Sequence, residues 1–172
     1  PWASVDPATG TTAAGGSTTV AVLFPGAFTQ KPVVIVLPDE INSNSGAITC
    51  RVISVTTTSF TANCFVGSTN SAPEAIQWVA LEPTGGTPLT IDGPTVQAGY
   101  AASNSATGTI AYPVPFTSAP SVVLASLYEL NNAGATSVRV NYPVLNTGFP
   151  YLSHVCGSGN AASEEISWIA VD

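Results

Sequence analysis

Phe24-Pro25-Gly26-Ala27-Phe28-Thr29-Gln30-Lys31-Pro32-Val33-Val34-Ile35-Val36-Leu37 packs two turn signals and two short apolar segments into fourteen residues. Pro25-Gly26 marks a turn, and Pro32 starts an element because it cannot continue one. Val33 to Leu37 is an aliphatic, mostly β-branched run too short for a helix, so it reads as a buried strand. Upstream, Val20, Val22 and Phe24 alternate with Ala21 and Leu23; downstream, Ile48, Cys50 and Val52 alternate with Thr49 and Arg51. Strand period therefore surrounds the stretch on both sides.

The same words return later in the chain. Phe28-Thr29-Gln30-Lys31-Pro32 reappears 88 residues on as Phe116-Thr117-Ser118-Ala119-Pro120, and Cys50-Arg51-Val52 as Val138-Arg139-Val140. Ser59-Phe60 matches Gly148-Phe149 at an offset of 89, and Ile76-Gln77-Trp78-Val79-Ala80 matches Ile166-Ser167-Trp168-Ile169-Ala170 at 90. The offset grows only where turns are expected, as in a duplicated unit whose loops have drifted. A shorter echo stands at the front: Trp2-Ala3-Ser4-Val5-Asp6-Pro7 follows Trp78-Val79-Ala80-Leu81-Glu82-Pro83. It reads either as part of a longer array or as a spare strand, Trp2 to Val5, able to pair with a sheet edge of this chain or a neighbour.

The pattern predicts an all-β fold of two tandem small antiparallel β-sandwiches, about six strands each. The expected boundaries are an N-terminal segment over 1–16, a first sandwich over 17–83, a linker over 84–104 and a second sandwich over 105–172. Leu89-Thr90-Ile91 in the linker is the expected sixth strand of the second sandwich, and Trp2 to Val5 that of the first.

Composition narrows the function. Of 172 residues, 3 are Lys or Arg and 10 Asp or Glu, for a net charge of −7; charged residues are 8% of the chain, against roughly 25% in an average domain. Three cations cannot cover a nucleic acid or an anionic membrane surface. Hydrophobic residues reach 45% and mean hydropathy is +0.33, yet no run approaches the ~20 residues of a bilayer span. No apolar leader stands at Pro1, so the chain reads as a mature or excised piece. With one histidine and none of the nucleophile, zinc-protease, phosphate-loop or dinucleotide signatures, no catalytic residue and no cofactor is expected. A neutral, apolar surface suits contact with proteins or sugars and burial by self-association.

The cysteines leave alternatives. If residues 50 and 64 lie on two arms of a hairpin turning at Thr56-Thr57-Thr58, Cys50 faces Cys64 within disulfide reach, which implies an oxidising compartment. Otherwise both are reduced thiols buried as small hydrophobes. Cys156 has no evident mate. His154 beside Cys156 is an incomplete metal site, and Asp39-Glu40 with Asn42 to Ser45 reads as a solvated turn ahead of a calcium loop.

Strand alternation sets Arg51 and Arg139 opposite Cys50/Val52 and Val138/Val140, away from each sandwich's core. There they contact a ligand or an adjacent subunit, or pair with the equally matched Glu74 and Glu164. Trp78 and Trp168, flanked by alternating Ile and Ala, are expected in the core.

An aromatic-ended first strand (Phe24), Phe28-x-x-x-Pro32 before an aliphatic run, Arg51-Val52, Thr56-x-x-x-Phe60 and a closing Ile76-x-Trp78-Val79-Ala80 together resemble the H-type lectin domain. The closing strand and the Phe24 to Phe28 stretch are also similar to phage tail-fibre C-terminal tip domains. The resemblance implies non-enzymatic surface binders that form trimers. It places the ligand positions at Arg51 and Arg139 and in the loop after the fourth strand, which here holds Gly67-Ser68 and Gly157-Ser158. The expectation is a self-associating structural module of an extracellular, cell-surface or virion assembly, a trimer or filament. The alternative is a carbohydrate-binding adhesin using Arg51, Arg139, Ser68 and Ser158.

Overall fold

The computed structural model describes residues 8–11, 17–40, 48–66, 73–82, 89–90, 95–103, 106–128, 135–156 and 164–172. Every regular element among them is a strand. The first half supplies β1 (Ala8–Thr11), β2 (Ser17–Leu23), β3 (Val33–Glu40), β4 (Ile48–Val55), β5 (Ser59–Val66) and β6 (Pro73–Leu81). The second half supplies β7 (Leu89–Thr90), β8 (Thr95–Ser103), β9 (Thr107–Ala111), β10 (Val122–Tyr128), β11 (Ala135–Val140), β12 (Gly148–Cys156) and β13 (Glu164–Val171).

Three sheets result, with strand orders β1-β6-β3, β2-β5-β4-β10-β13-β8-β7 and β11-β12-β9. In each half a β3-type and a β1-type strand flank the closing strand: β1-β6-β3 first, then β8-β13-β10. Facing them are β2-β5-β4 and β9-β12-β11. The duplication read from the sequence is therefore a duplication of topology, and the all-β, two-sandwich expectation holds. The seven-stranded sheet arises because the halves share one edge: Tyr128 of β10 pairs in parallel with Val52 of β4.

Each interior is an aromatic box. Phe24, Phe28, Phe60 and Trp78 stack with ring centroids 4.9–5.7 Å apart, and Tyr112, Phe116, Phe149 and Trp168 repeat the box at 4.8–6.0 Å. Four large rings fill a space that a sandwich of short strands could not fill with aliphatics alone. The turn that carries two of the rings is tied down in the same way twice. Phe24 and Phe28 donate their backbone N–H to Thr58 and Thr57, as Tyr112 and Phe116 do to Thr147 and Asn146.

The stretch expected as a linker behaves differently. Its strand is the nine residues of β8, paired with β13 from Val96↔Val171 to Ser103↔Glu164, while Leu89–Thr90 only extends β8 at its start. Both faces of β8 are covered. Gly99 and Ala101 look into the second sandwich against Trp168, and Val96, Ala98 and Tyr100 look toward the first. A strand covered on both sides carries no polar–apolar alternation, so the period that marks the others is missing here. Cys50 is disulfide-bonded, and Cys64 is its direct cross-strand partner in the β4–β5 register.

Candidate functional site: the junction between the sandwiches

The residues singled out from sequence do not gather in one place. Arg51 lies on β4 opposite Asn63 and is half-buried; Arg139 lies at the matching place on β11, opposite Leu152, and is exposed. The difference has a visible cause: β10 of the second sandwich is laid along β4 beside Arg51. Glu74 and Glu164 stand on β6 and β13, in the sheet across the sandwich from Arg51 and Arg139 respectively. Ser68, Ser158, Trp2 and Val5 lie outside the described residues. His154 is on β12, opposite Ser137.

What the fold does gather is the junction. The outer edge of β3 crosses the outer face of sheet β8-β13-β10. Three hydroxyls on those three adjacent strands address carbonyls of alternate residues along that edge. Tyr100 Oη donates to the Pro32 carbonyl at 2.5 Å, Ser167 Oγ to Val34 at 2.9 Å, and Ser126 Oγ to Val36 at 3.5 Å. An edge strand that would otherwise template aggregation is thereby closed. Around the row, Val33, Ile35 and Leu81 of the first sandwich pack with Val96 and Ile169 of the second in one apolar cluster. These side chains point out of their own sandwiches, into a core that exists only between the two.

Aromatic chemistry finishes one end. Tyr128 is buried among the first sandwich's core residues, with its ring 4.9 Å from that of Tyr100. Lys31 Nζ donates to Tyr128 Oη at 2.5 Å and stands 4.3 Å from the Tyr128 ring centroid and 5.0 Å from that of Tyr100. A cation against two adjoining, mutually tilted rings is a favourable electrostatic contact. Burial, with lesser contributions from Tyr128 and Glu165, pushes the Tyr100 phenol well above its ordinary range.

A repeated carboxylate ties each closing strand to its aromatic turn. Glu82 accepts from the Thr29 hydroxyl and from the Gln30 backbone N–H at 2.7 Å. Asp172 accepts from Thr117 at 3.2 Å and Ser118 at 2.8 Å. The Thr29 hydroxyl, chiefly, holds the Glu82 carboxyl below the usual carboxylate range.

Sequence reasoning missed both the hydroxyl row and the acids. The signal for the acids was present, since Glu82 and Asp172 each end a Trp strand. Ser126, Ser167 and Tyr100 carry no signature of their own, because their partners are backbone carbonyls of a different unit.

Beside the junction runs a largely apolar groove of about 270 Å³, lined by Ile35, Leu37, Gln77, Trp78 and Val79 of the first sandwich and Leu124 of the second. Leu37 is 45% exposed there, and Val122, on the same strand as Leu124, is 46% exposed. Among the described residues no cluster of three His, Cys, Asp or Glu could hold a metal ion, and no helix is long and apolar enough to cross a membrane. The junction and groove can hold surfaces together.

Residues 19–81, which hold β2 to β6 and the first aromatic box, match the family model of the H-type lectin domain. No curated protein and no solved structure matches the chain.

Proposed function

We propose that the protein is a non-catalytic, lectin-like structural module of an extracellular or virion-surface assembly, built by packing sandwiches on sandwiches and self-associating as a trimer or filament. One observation carries this reading: Val33, Ile35, Leu81, Val96 and Ile169 point outward from their own sandwiches and are nonetheless buried, against each other. A sheet face meant for water carries polar residues at such positions. Here the face is apolar and continues beyond the contact to Leu37 and Val122. The second sandwich is read as a second lectin-like unit because it repeats the strand order, aromatic box and capping acid of the matched first. Light scattering with negative-stain microscopy over a concentration series tests the reading; assemblies are expected, and a monomer at every concentration overturns it.

A second reading, carbohydrate binding, is favoured by the lectin-domain match over 19–81 and by the exposed Arg139 on β11. An exposed guanidinium offers paired donors to sugar hydroxyls or a carboxylate. Glycan-array binding that falls in Arg139→Ala supports it, whereas a silent array or unchanged binding by the variant removes it.

A further inference from the structure

Two of the three sheets have one blunted end and one open end. β7 ends the seven-stranded sheet with only two residues, and β11 ends the sheet β11-β12-β9 with the exposed Arg139 among its six. Shortness and charge are ordinary defences of a sheet edge. At the opposite ends stand β2, seven residues long, and β9, five residues long, with no charged residue and no proline in either. Among the described residues no strand pairs with the outer edge of either one. The duplication makes them the same strand of the repeat, so each sandwich leaves the same edge open.

The ladders define what those edges offer. Phe24 N–H donates to the Thr58 carbonyl directly beyond the β2–β5 register. Bonded and non-bonded pairs alternate in an antiparallel ladder, so Val20 and Val22 bond to β5 while Thr19, Ala21 and Leu23 turn their N–H and C=O outward. On β9 the bonds from Ser153 to Ala106 and from Tyr112 to Thr147 bracket the β9–β12 register. Gly108 and Ile110 therefore bond to β12, and the backbone groups of Thr109 and Ala111 face out.

The side chains follow one parity in both strands. Val22 and Ile110 are buried inward, whereas Thr19, Ala21, Leu23, Thr109 and Ala111 are exposed. Laid antiparallel, the outward groups of β2 meet those of β9 with both apolar faces on the core side. The chain already continues a sheet from one sandwich into the next, through Val52 of β4 and Tyr128 of β10, and β2 ends that same sheet.

We propose that β2 of one copy pairs antiparallel with β9 of the next, edge to edge, and that this head-to-tail contact is the one through which copies assemble. The proposal rests on the self-association reading and names its surface. Each copy brings one edge of each kind, so a joined pair still has one of each open, and growth continues to a ring or a filament.

Thr109→Pro and Ala21→Pro test the contact, because each removes an outward N–H and leaves the chain's own ladder intact. Light scattering is expected to find each variant alone monomeric at concentrations about tenfold above those at which the wild type assembles, the loss of one or two interface hydrogen bonds. An equimolar mixture restores one contact, between the intact β2 of the first variant and the intact β9 of the second, and gives dimers. Thr109→Lys and Ala21→Lys keep every backbone donor and are expected to behave in the same way; they decide the matter if a proline variant does not fold. Dimers formed by either variant alone show like-with-like pairing and overturn the proposal, as does assembly of both variants at the wild-type concentration. In the wild type, the amides of Ala21 and Thr109 are expected to exchange with solvent about tenfold or more slowly in the assembly than in the dilute chain. Equal, fast exchange in both overturns the proposal and leaves self-association standing. Slow exchange already in the dilute chain gives the edges to another segment of the same chain and also overturns it. A wild type that stays monomeric at every concentration overturns the self-association reading itself, and this contact with it.

Discussion

Ser167, with no exposed surface, gives its hydroxyl to the carbonyl of Val34, 2.9 Å away in the other sandwich, and lies 3.2 Å from the carbonyl of Ser126 in its own. A hydroxyl buried between two units is tolerable only because both neighbours are acceptors, and the β3 edge carbonyl has no water to turn to. The bond thus couples the stability of one sandwich to that of the other.

Replacing Ser167 by Ala removes the donor and leaves the Val34 carbonyl buried. The expected loss is about 1–2 kcal/mol. In urea denaturation the midpoint falls and the slope is retained, because the surface exposed on unfolding is unchanged. An unaltered midpoint would show that the hydroxyl row does not bind the halves together.

Tyr112 occupies the place that Phe24 holds in the first sandwich, stacked on Phe116, Phe149 and Trp168. It is 5% exposed and its hydroxyl has no partner among the described residues. Tyr112→Phe is expected to stabilise the protein by about 1 kcal/mol, since it deletes an unsatisfied buried polar group without opening a cavity. Burial pushes the Tyr112 phenol up to about 12. A raised phenol pKa contributes stability that is complete below the ordinary value near 10 and is lost as pH rises through 12. The variant should lose less melting temperature across that alkaline interval than the wild type.

The parts of the fold that were legible in sequence are those whose partners lie in the same sandwich. The aromatic boxes, Val33 to Leu37 and the closing Trp strands alternate or repeat because each buries one face against a local core. β8 was illegible for the opposite reason: Val96 and Tyr100 are apolar for the sake of the neighbouring sandwich, and Gly99 is small to admit Trp168. Arg51 and Arg139 look identical in sequence and differ in burial only because β10 covers β4. Relations between units leave no periodic mark. The candidate site, being such a relation, was visible only as an unexplained surplus of apolar residues.

Glu82 offers a pH test of the capping acids. Its carboxylate is favoured in the folded protein chiefly by the Thr29 hydroxyl, which outweighs the opposing effect of burial, and further by the Gln30 N–H. A depressed carboxyl pKa contributes stability that is present above the unfolded value of 4.5 and lost as pH falls through and below it. Melting temperature followed from about pH 6 to pH 3 should decline more steeply in the wild type than in Glu82→Gln, whose amide cannot titrate. Parallel curves would remove Glu82 as a source of acid lability.

Two glycines should respond in opposite ways to a single methyl group. A Cβ on Gly99 would lie 2.9 Å from Trp168 Cζ2 and 3.1 Å from Cε2. Trp168 cannot retreat, since Tyr112 and Phe149 stack on it at 5.6 and 6.0 Å, and β8 cannot rise without disturbing Tyr100 and the junction. Gly99→Ala is therefore expected to cost about 1–3 kcal/mol, the usual effect of overpacking a filled core. Nothing stands within 4 Å of a Cβ on Gly26, so Gly26→Ala should change stability by less than about 0.5 kcal/mol. Chemical denaturation of the pair distinguishes a tight approach of β8 to the indole from a general intolerance of the sandwich to added side chains. If both variants lose stability equally, Gly99 is not there to make room for Trp168.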